Sequence, residues 1–318
     1  MTARSSAIPL SVIGGFLGSG KTTLINSLLQ QNEGRRLAVL VNDFGDINID
    51  AELISAHDGQ TLQLSNGCIC CTIGDSLTRS LMDMAALEEP PDHLVIEASG
   101  VSDPGRIAQI GLAGGAYRLQ AVCVLADAAN LLEHAQDRYV GDSVIHQLRR
   151  ADFLALNKCD LVTETERQTV RQQLISWGIK APVMETTQGQ VPLSLLLSPQ
   201  EASDRDFSFD AAAEARSWHS SHAEGLRSWS LSASQPLDRT AFEKAFTQVQ
   251  GRVLRAKGLL RFADRPQNLE VLQLVGRRLD LTESMPEASS TNSRLVLIAP
   301  SDYEPPGALV RLFADCPP

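Results

Sequence analysis

The feature that most constrains this chain is a glycine-rich segment close to its amino terminus. Residues 15–22 read G-F-L-G-S-G-K-T, which fits the pattern G-x-x-x-x-G-K-[ST] in full. The segment follows an apolar run at 10–13 and opens a helix candidate. A strand before the pattern and a helix after it are the context that the pattern requires. It therefore predicts a phosphate-binding loop between a first strand and a first helix.

Each residue type in this segment has a chemical role. Glycines let backbone N–H groups turn inward to form an anion nest, and the positive end of the helix dipole adds to the attraction. Lys21 is expected to reach the outer phosphates as a point charge, and Thr22 to offer its hydroxyl to Mg²⁺. The residues predicted to hold phosphate are Gly15, Gly18, Ser19, Gly20, Lys21 and Thr22.

The first 200 residues alternate apolar runs with helix candidates. The runs lie at 10–13, 37–41, 94–96, 121–125, 153–156 and 182–184, and the helix candidates include 21–31, 75–87 and 163–177. Near-continuous apolar runs are typical of strands that are buried on both faces of a parallel sheet. Repeated βα units of this kind predict an α/β fold over residues 1–200, with a doubly wound, mostly parallel sheet.

The remainder of the chain has a different pattern. Residues 201–224 are rich in Ser, Ala, Asp and Glu, which predicts a linker. Strand candidates follow at 226–231, 253–262, 271–275 and 295–298, with a last helix at about 307–314. Asp238 would cap another helix, on which Phe242, Phe246 and Val249 share one face. We expect a small α+β domain over residues 225–318.

Charge and composition limit the classes of partner that the chain is expected to bind. The chain has 38 acidic and 28 basic residues, and its net charge of −10 argues against nucleic acid. No apolar run approaches the ~18–20 residues of a membrane helix, so we expect no membrane partner. We recognise no secretion signal ahead of the phosphate loop and therefore expect a cytoplasmic protein. In that reducing compartment the six cysteines would not form a disulfide framework.

A second motif indicates which nucleotide is bound. The apolar run at 153–156 ends in Asn157-Lys158-Cys159-Asp160, the form N-K-x-D with which GTPases read guanine. Guanine presents two adjacent N–H donors that one carboxylate can accept together. Against ATP the Asp160 carboxylate would stay unpaired and desolvated. The motif therefore predicts that the chain binds GTP and that its guanine base is contacted by Asn157, Lys158 and Asp160.

Two further stretches carry acids at the expected places. The run at 94–96 ends in Glu97, which would hold Mg²⁺ or its water, and Gly100 follows with an N–H that would face the γ-phosphate. The alternative is that the strand at 94–96 simply ends at a charged residue, without a role in binding. Residues 42–50 contain Asp43, Asp46 and Asp50 where a first switch loop belongs, and the alternative here is a solvated acidic loop.

The cysteines cluster in an unusual way. Cys68, Cys70 and Cys71 fall within four positions, and as thiolates they would favour a soft or borderline ion such as Zn²⁺ or Cu(I). Three local ligands leave one coordination position open, which suits handing metal on. The alternative is that they are small buried hydrophobes. His219 and His222 lie in the predicted linker, and we expect them to be a solvated pair.

Five segments, taken in order, resemble the CobW-type GTPases, which are relatives of the nickel-insertion GTPases of hydrogenase and urease maturation. The segments are GGFLGSGKTTLIN, VNDFGDINID, NGCICC, VIEASG and NKCD. HAEGL, RAKGL and RLVLI resemble parts of the C-terminal domain of that family. The resemblance departs in the first switch, where Asp43 and Asp46 have shorter side chains than the usual acids, and at Ala98, where a hydroxyl residue is more usual.

The resemblance implies a GTP-hydrolysing metallochaperone that carries a transition metal, usually zinc or cobalt, to client metalloproteins. It implies that residues 15–23, including Thr23, hold phosphate and that Cys68, Cys70 and Cys71 bind the metal. The expected partners are GTP and GDP, a client apo-metalloprotein and a second copy of the chain. The alternatives are a metal or nucleotide sensor with negligible turnover and a cobalt-handling factor in cobalamin biosynthesis. A small-molecule kinase is disfavoured because it has no general need to read guanine.

Overall fold

The structure is a computed structural model that describes residues 7–31, 36–41, 62–65, 75–197, 226–283 and 292–313. The chain forms two compact units. One comprises residues 1–180 and 185–200, and the other comprises 181–184 and 201–318.

The first part of the chain forms a seven-stranded sheet with helices, in the strand order β3-β2-β4-β1-β5-β6-β7. Its strands are β1 (Ile8–Gly15), β2 (Leu37–Val41), β3 (Leu62–Ser65), β4 (His93–Glu97), β5 (Tyr117–Asp127), β6 (Phe153–Asn157) and β7 (Val183–Glu185). Its helices are α1 (Lys21–Gln30), α2 (Asp75–Ala85), α3 (Pro104–Leu112), α4 (Leu131–Gln136), α5 (Gly141–Arg150), α6 (Glu164–Ser176) and α7 (Leu193–Leu196). The pairings of β1 with β4 and β5 are parallel, as are those of β2 with β3 and β4 and that of β5 with β6.

The buried strands explain the apolar runs of the sequence. Every residue of β2, β4 and β6 is buried, as expected for central strands covered on both faces. The predicted fold class is confirmed. Sequence analysis did not predict β3 or the helices α3, α4 and α5, and α5 supplies a residue of the candidate site.

The second unit is an antiparallel sheet with helices. Its strands are β8 (Leu226–Ala233), β9 (Arg255–Arg261), β10 (Leu269–Val275), β11 (Arg278–Glu283) and β12 (Ser293–Pro300), in the order β11-β10-β9-β12-β8. Its helices are α8 (Arg239–Phe246) and α9 (Gly307–Leu312). The Asp238 side chain caps α8 as predicted, accepting a hydrogen bond from Ala241 N. Phe242 and Phe246 are buried in the core of this unit. Strand β11 was not predicted.

Among the described residues, no helix combines the length and the apolar character needed to cross a membrane.

Candidate nucleotide site

The predicted site residues come together at the carboxyl edge of the first sheet. Gly15, Glu97 and Asn157, which were predicted, and Asp127, which was not, are the last residues of β1, β4, β6 and β5. These four strands are neighbours in the sheet, in the order β4-β1-β5-β6. In open α/β sheets this edge is where ligands bind.

The loop between β1 and α1 is shaped by its glycines. Gly15 has φ 136° and Gly20 has φ 102°, a region that other residues rarely enter. A Cβ atom on Gly15 would lie 2.5 Å from the Leu125 carbonyl oxygen, and one on Gly20 would lie 2.4 Å from Asn157 Nδ2. Only glycine therefore allows the loop to pack this closely against β5 and β6.

Two features of the loop suit an anion. The N-cap residue of α1 is Gly20, which has no side chain to cap the helix, and the first N–H groups of a helix point toward the position where an anion would bind. Ser19 Oγ is buried and makes no hydrogen bond with any of the described residues. A buried polar atom of this kind is rare unless a ligand or water meets it. The loop therefore fits a phosphate group.

Lys21 and Glu97 face each other at the start of α1. Lys21 Nζ lies 4.0 Å from Glu97 Oε1, and the two side chains are only 7% and 2% exposed. Thr22 is half-buried and Thr23 is exposed. The Glu97 carboxylate and the hydroxyl of Thr22, the residue after Lys21, would together form an all-oxygen donor set, which is the chemistry that Mg²⁺ prefers. The residues thus fit a magnesium ion bound together with a phosphate.

Gln147, on α5, connects the phosphate loop to the turn after β4. Its Oε1 accepts a hydrogen bond of 3.1 Å from Gly15 N, and its Nε2 donates one of 2.8 Å to the Gly100 carbonyl oxygen. The side chain is 2% exposed. Sequence analysis missed Gln147, because a single glutamine in a helix carries no motif.

Asn157 connects the phosphate loop to the loop after β7. Its Nδ2 donates to the Ser19 carbonyl oxygen at 2.9 Å, and its Oδ1 accepts from Gly189 N at 2.9 Å. Both ends of the amide therefore make hydrogen bonds within the protein, and the residue links these two loops. Residues 186–189 were missed, although T-T-Q-G directly after an apolar strand is a turn signal.

Lys158 is bound to an acid that sequence analysis also missed. Lys158 Nζ donates to Asp127 Oδ2 at 2.7 Å, and Asn130 Nδ2 donates to the same oxygen at 2.9 Å. Burial alone would raise the pKa of Asp127, but these hydrogen bonds and one from the Ala129 amide outweigh it and hold the pKa below its ordinary value. The signal was available, since the apolar run at 121–125 leads to an acid just as the run at 94–96 does.

Asp160 differs from its neighbours in the motif. It lies in the short 3₁₀ turn Cys159–Leu161 and its side chain is exposed. No hydrogen bond within the described residues occupies its carboxylate. This carboxylate is therefore available to a ligand at the same sheet edge.

The predicted metal ligands belong to parts of the chain that the structure does not describe. Cys68, Cys70 and Cys71 lie outside the described residues, as do Asp43, Asp46, Asp50, His219 and His222. The described part of the chain contains no group of three or more metal-ligating side chains. Cys123 and Cys159 are buried thiols, and burial raises the pKa of both.

The parallel sheet, the glycine loop and the buried Lys21 at its helix start define a P-loop nucleotide-binding protein. The nucleotide-binding domain of the CobW/HypB/UreG family matches residues 9–185, and the C-terminal domain of the cobalamin synthesis protein CobW matches residues 226–317. The chain belongs to the CobW/HypB/UreG family.

The chain is also similar to individual proteins. The chain is 28% identical over 340 residues to a zinc chaperone CobW from Sinorhizobium sp, covering 95% of both chains. It is 29% identical over 324 residues to the zinc-regulated GTPase metalloprotein activator 1 of Dictyostelium discoideum, covering 86% of this chain and 67% of that protein. The crystal structure of the Zn(II)-bound YjiA GTPase from E. coli is 23% identical, with a TM-score of 0.44 over 93% of this chain and 95% of that chain.

Proposed function

We propose that this chain is a GTP-hydrolysing metallochaperone that binds a transition metal, zinc first and cobalt second, and delivers it to client apo-metalloproteins. The observation that carries the nucleotide part is the buried pair of Lys21 and Glu97, at 4.0 Å, within a glycine loop. The exposed Asp160 lies at the same sheet edge, and its carboxylate could accept the two adjacent N–H donors of guanine.

The sequence relatives support the metal part. The Sinorhizobium protein is named a zinc chaperone and the Dictyostelium protein a zinc-regulated GTPase metalloprotein activator. In this chain the thiols of Cys68, Cys70 and Cys71 are our candidates for the metal ligands. The delivered ion is cargo, so three ligands with one open position suit transfer better than a closed four-ligand site.

Each site residue would have its own role in GTP hydrolysis. Lys21 and the loop N–H groups would bind and orient the phosphates, and Gly100 N–H would donate to the terminal phosphate. Thr22 and Glu97 would hold Mg²⁺, which when bound supplies positive charge that offsets the charge developing on the phosphates. Asp160 would accept from the guanine edge. Asn157 and Asp127 hold the loops in place, through Ser19 and Lys158.

We also propose the organisation of the whole chain. The GTPase domain would occupy residues 1–200, the linker 201–224 and the C-terminal domain 225–318. We propose a cytoplasmic location and a homodimer as the working assembly.

Two titrations test the proposal. GTP should bind tightly and ATP poorly, and the protein should release phosphate from GTP when Mg²⁺ is present. Cobalt should bind at about one ion per chain with an intense sulfur-to-metal absorption band. Replacing Cys68, Cys70 and Cys71 by Ser should remove the band, and Cys316→Ser should leave it unchanged. Equal affinity for ATP and GTP, or a band that survives the triple change, would contradict the proposal.

A further inference from the structure

Gln147 makes the two hydrogen bonds that join the phosphate loop to the turn after β4. One of its partners, Gly15, is the first residue of the glycine motif, and the other, Gly100, follows the acid-ending strand. The glutamine itself lies on α5, far from both in sequence, with separations of 132 and 47 residues.

The connection is buried and uses both ends of the amide. Gln147 is 2% exposed, so water does not compete with its hydrogen bonds. Its carbonyl oxygen satisfies Gly15 N–H and its NH₂ group satisfies the Gly100 carbonyl. Loss of the side-chain amide would leave two buried backbone groups without these partners, which is costly in the protein interior.

The phosphate loop also restricts the position of Gly100, through close contact with Leu17. A Cβ atom on Gly100 would lie 2.5 Å from Leu17 Cδ2 and 2.9 Å from Leu17 N, so the two backbones approach closely. The strand end just before it is anchored by the hydrogen bond of 2.8 Å from Ala98 N to the Ile13 carbonyl oxygen. Gln147 completes this arrangement, because it fixes the carbonyl of Gly100 and therefore the placement of that residue relative to Gly15.

The two ends of this link contact different parts of a nucleotide. The loop N–H groups and the start of α1 would hold the phosphates that GTP and GDP have in common. The Gly100 turn would meet only the terminal phosphate of GTP. A change in the placement of Gly100 should therefore alter the affinity for the triphosphate more than that for the diphosphate.

We infer that Gln147 is a positioning residue that sets the distance between the Gly100 turn and the phosphate loop and thereby determines how strongly the site prefers a nucleoside triphosphate over a diphosphate. This inference rests on the proposed function for the nucleotide itself. The hydrogen-bonded link can be tested without any nucleotide.

The test compares Gln147→Met, which is similar in length but lacks both hydrogen-bonding groups, with the wild-type chain. Gln168→Met is the matched control, since Gln168 is an exposed glutamine on α6 whose side chain, in the described part of the chain, hydrogen-bonds Glu164 alone. If the Met variant does not fold, Gln147→Asn replaces it in the test. The shorter Asn side chain keeps the amide but cannot reach both partners. Amide hydrogen exchange is measured in the nucleotide-free proteins, and affinities are measured for a non-hydrolysable GTP analogue and for GDP.

We expect Gln147→Met to speed amide exchange in residues 14–20 and 98–102 and to lower the ratio of triphosphate to diphosphate affinity by about tenfold. Gln168→Met should change neither. Unchanged exchange in both segments would overturn the link, and faster exchange with an unchanged ratio would overturn the role in discrimination. A wild-type protein that binds neither nucleotide would overturn the proposed function together with the discrimination role, and the exchange data would still decide whether the link exists.

Discussion

At the scale of single residues, the exposed carboxylate of Asp160 is the group that should select guanine. Asp160→Asn replaces one acceptor by a donor, so the variant should lose GTP affinity and gain affinity for xanthosine triphosphate, whose base carries a carbonyl oxygen at C2. A hydrogen bond to a charged group is worth about 1.5–3 kcal/mol, so the loss should be about 10- to 150-fold. Titrating both nucleotides against both proteins measures the change.

The control for this prediction is Asp302→Asn, which alters an exposed aspartate in the second compact unit. It should leave both affinities unchanged. Equal losses for GTP and xanthosine triphosphate in Asp160→Asn would mean that Asp160 supports the loop without reading the base.

Asp127 provides a prediction about pH. Its pKa is held below the ordinary value, so the carboxylate stabilises the fold above the unfolded-state pKa of about 3.9 and loses this effect as the pH falls through the folded-state pKa. Asp127→Asn should therefore lower the free energy of unfolding by about 1–3 kcal/mol near neutral pH. The gap between the two proteins should narrow as the pH falls below the unfolded-state pKa of about 3.9 and through the lower folded-state pKa of Asp127. Urea unfolding at several pH values tests this, and a pH-independent gap would rule out the charge as the cause.

At the scale of elements, the connection from β1 to α1 can be tested with two glycines of the same loop. Gly18 and Gly20 both have positive φ, at 74° and 102°. A Cβ atom on Gly18 meets nothing within 4 Å, whereas one on Gly20 would lie 2.4 Å from Asn157 Nδ2. Gly18→Ala should cost only the left-handed backbone penalty of about 1–2 kcal/mol.

Gly20→Ala should cost about 2–4 kcal/mol more than Gly18→Ala, because it must also displace the Asn157 amide from the Ser19 carbonyl. It should also weaken nucleotide binding much more than Gly18→Ala does. Chemical unfolding and nucleotide titration of both variants measure these differences. Similar results for the two would show that Asn157 does not tether the loop.

At the scale of the whole molecule, we expect metal and nucleotide to be coupled. The cysteine triplet lies between β3 and α2 in the chain, ahead of the strand that ends in Glu97. Segments that contact a γ-phosphate change their order on hydrolysis, and thiolate binding depends on ligand geometry. Metal affinity should therefore differ between the GTP and GDP forms by a typical coupling of about 5- to 150-fold, tighter with GTP.

A chromogenic chelator, titrated in the presence of a non-hydrolysable GTP analogue and then of GDP at constant Mg²⁺, measures this coupling. By linkage, the metal must change the preference for GTP over GDP by the same factor. Identical metal affinities in the two nucleotide states would favour a passive metal or nucleotide sensor.

Much of the fold could be predicted because its signals are local. The helix predicted at 163–177 is α6, and Thr163 caps it in a capping box with Glu166. The strands β2 and β6 coincide with apolar runs because both of their faces are buried. Strand β11 was missed because it is a short edge strand with only two apolar residues, Leu279 and Leu281, and therefore forms no apolar run.

The candidate site could be predicted only in part. The sequence by itself determined the phosphate loop, the acid at the end of β4 and the N-K-x-D motif, because each is a short run of residue types with its own backbone and chemical demands. Only the tertiary structure decided that Gln147, Asp127 and Gly189 join them. The physical reason is that the strand order β4-β1-β5-β6 brings distant segments to one sheet edge, as with Gly15 and Gln147, which are 132 residues apart. A hydrogen bond between such residues leaves no periodicity or spacing in the sequence.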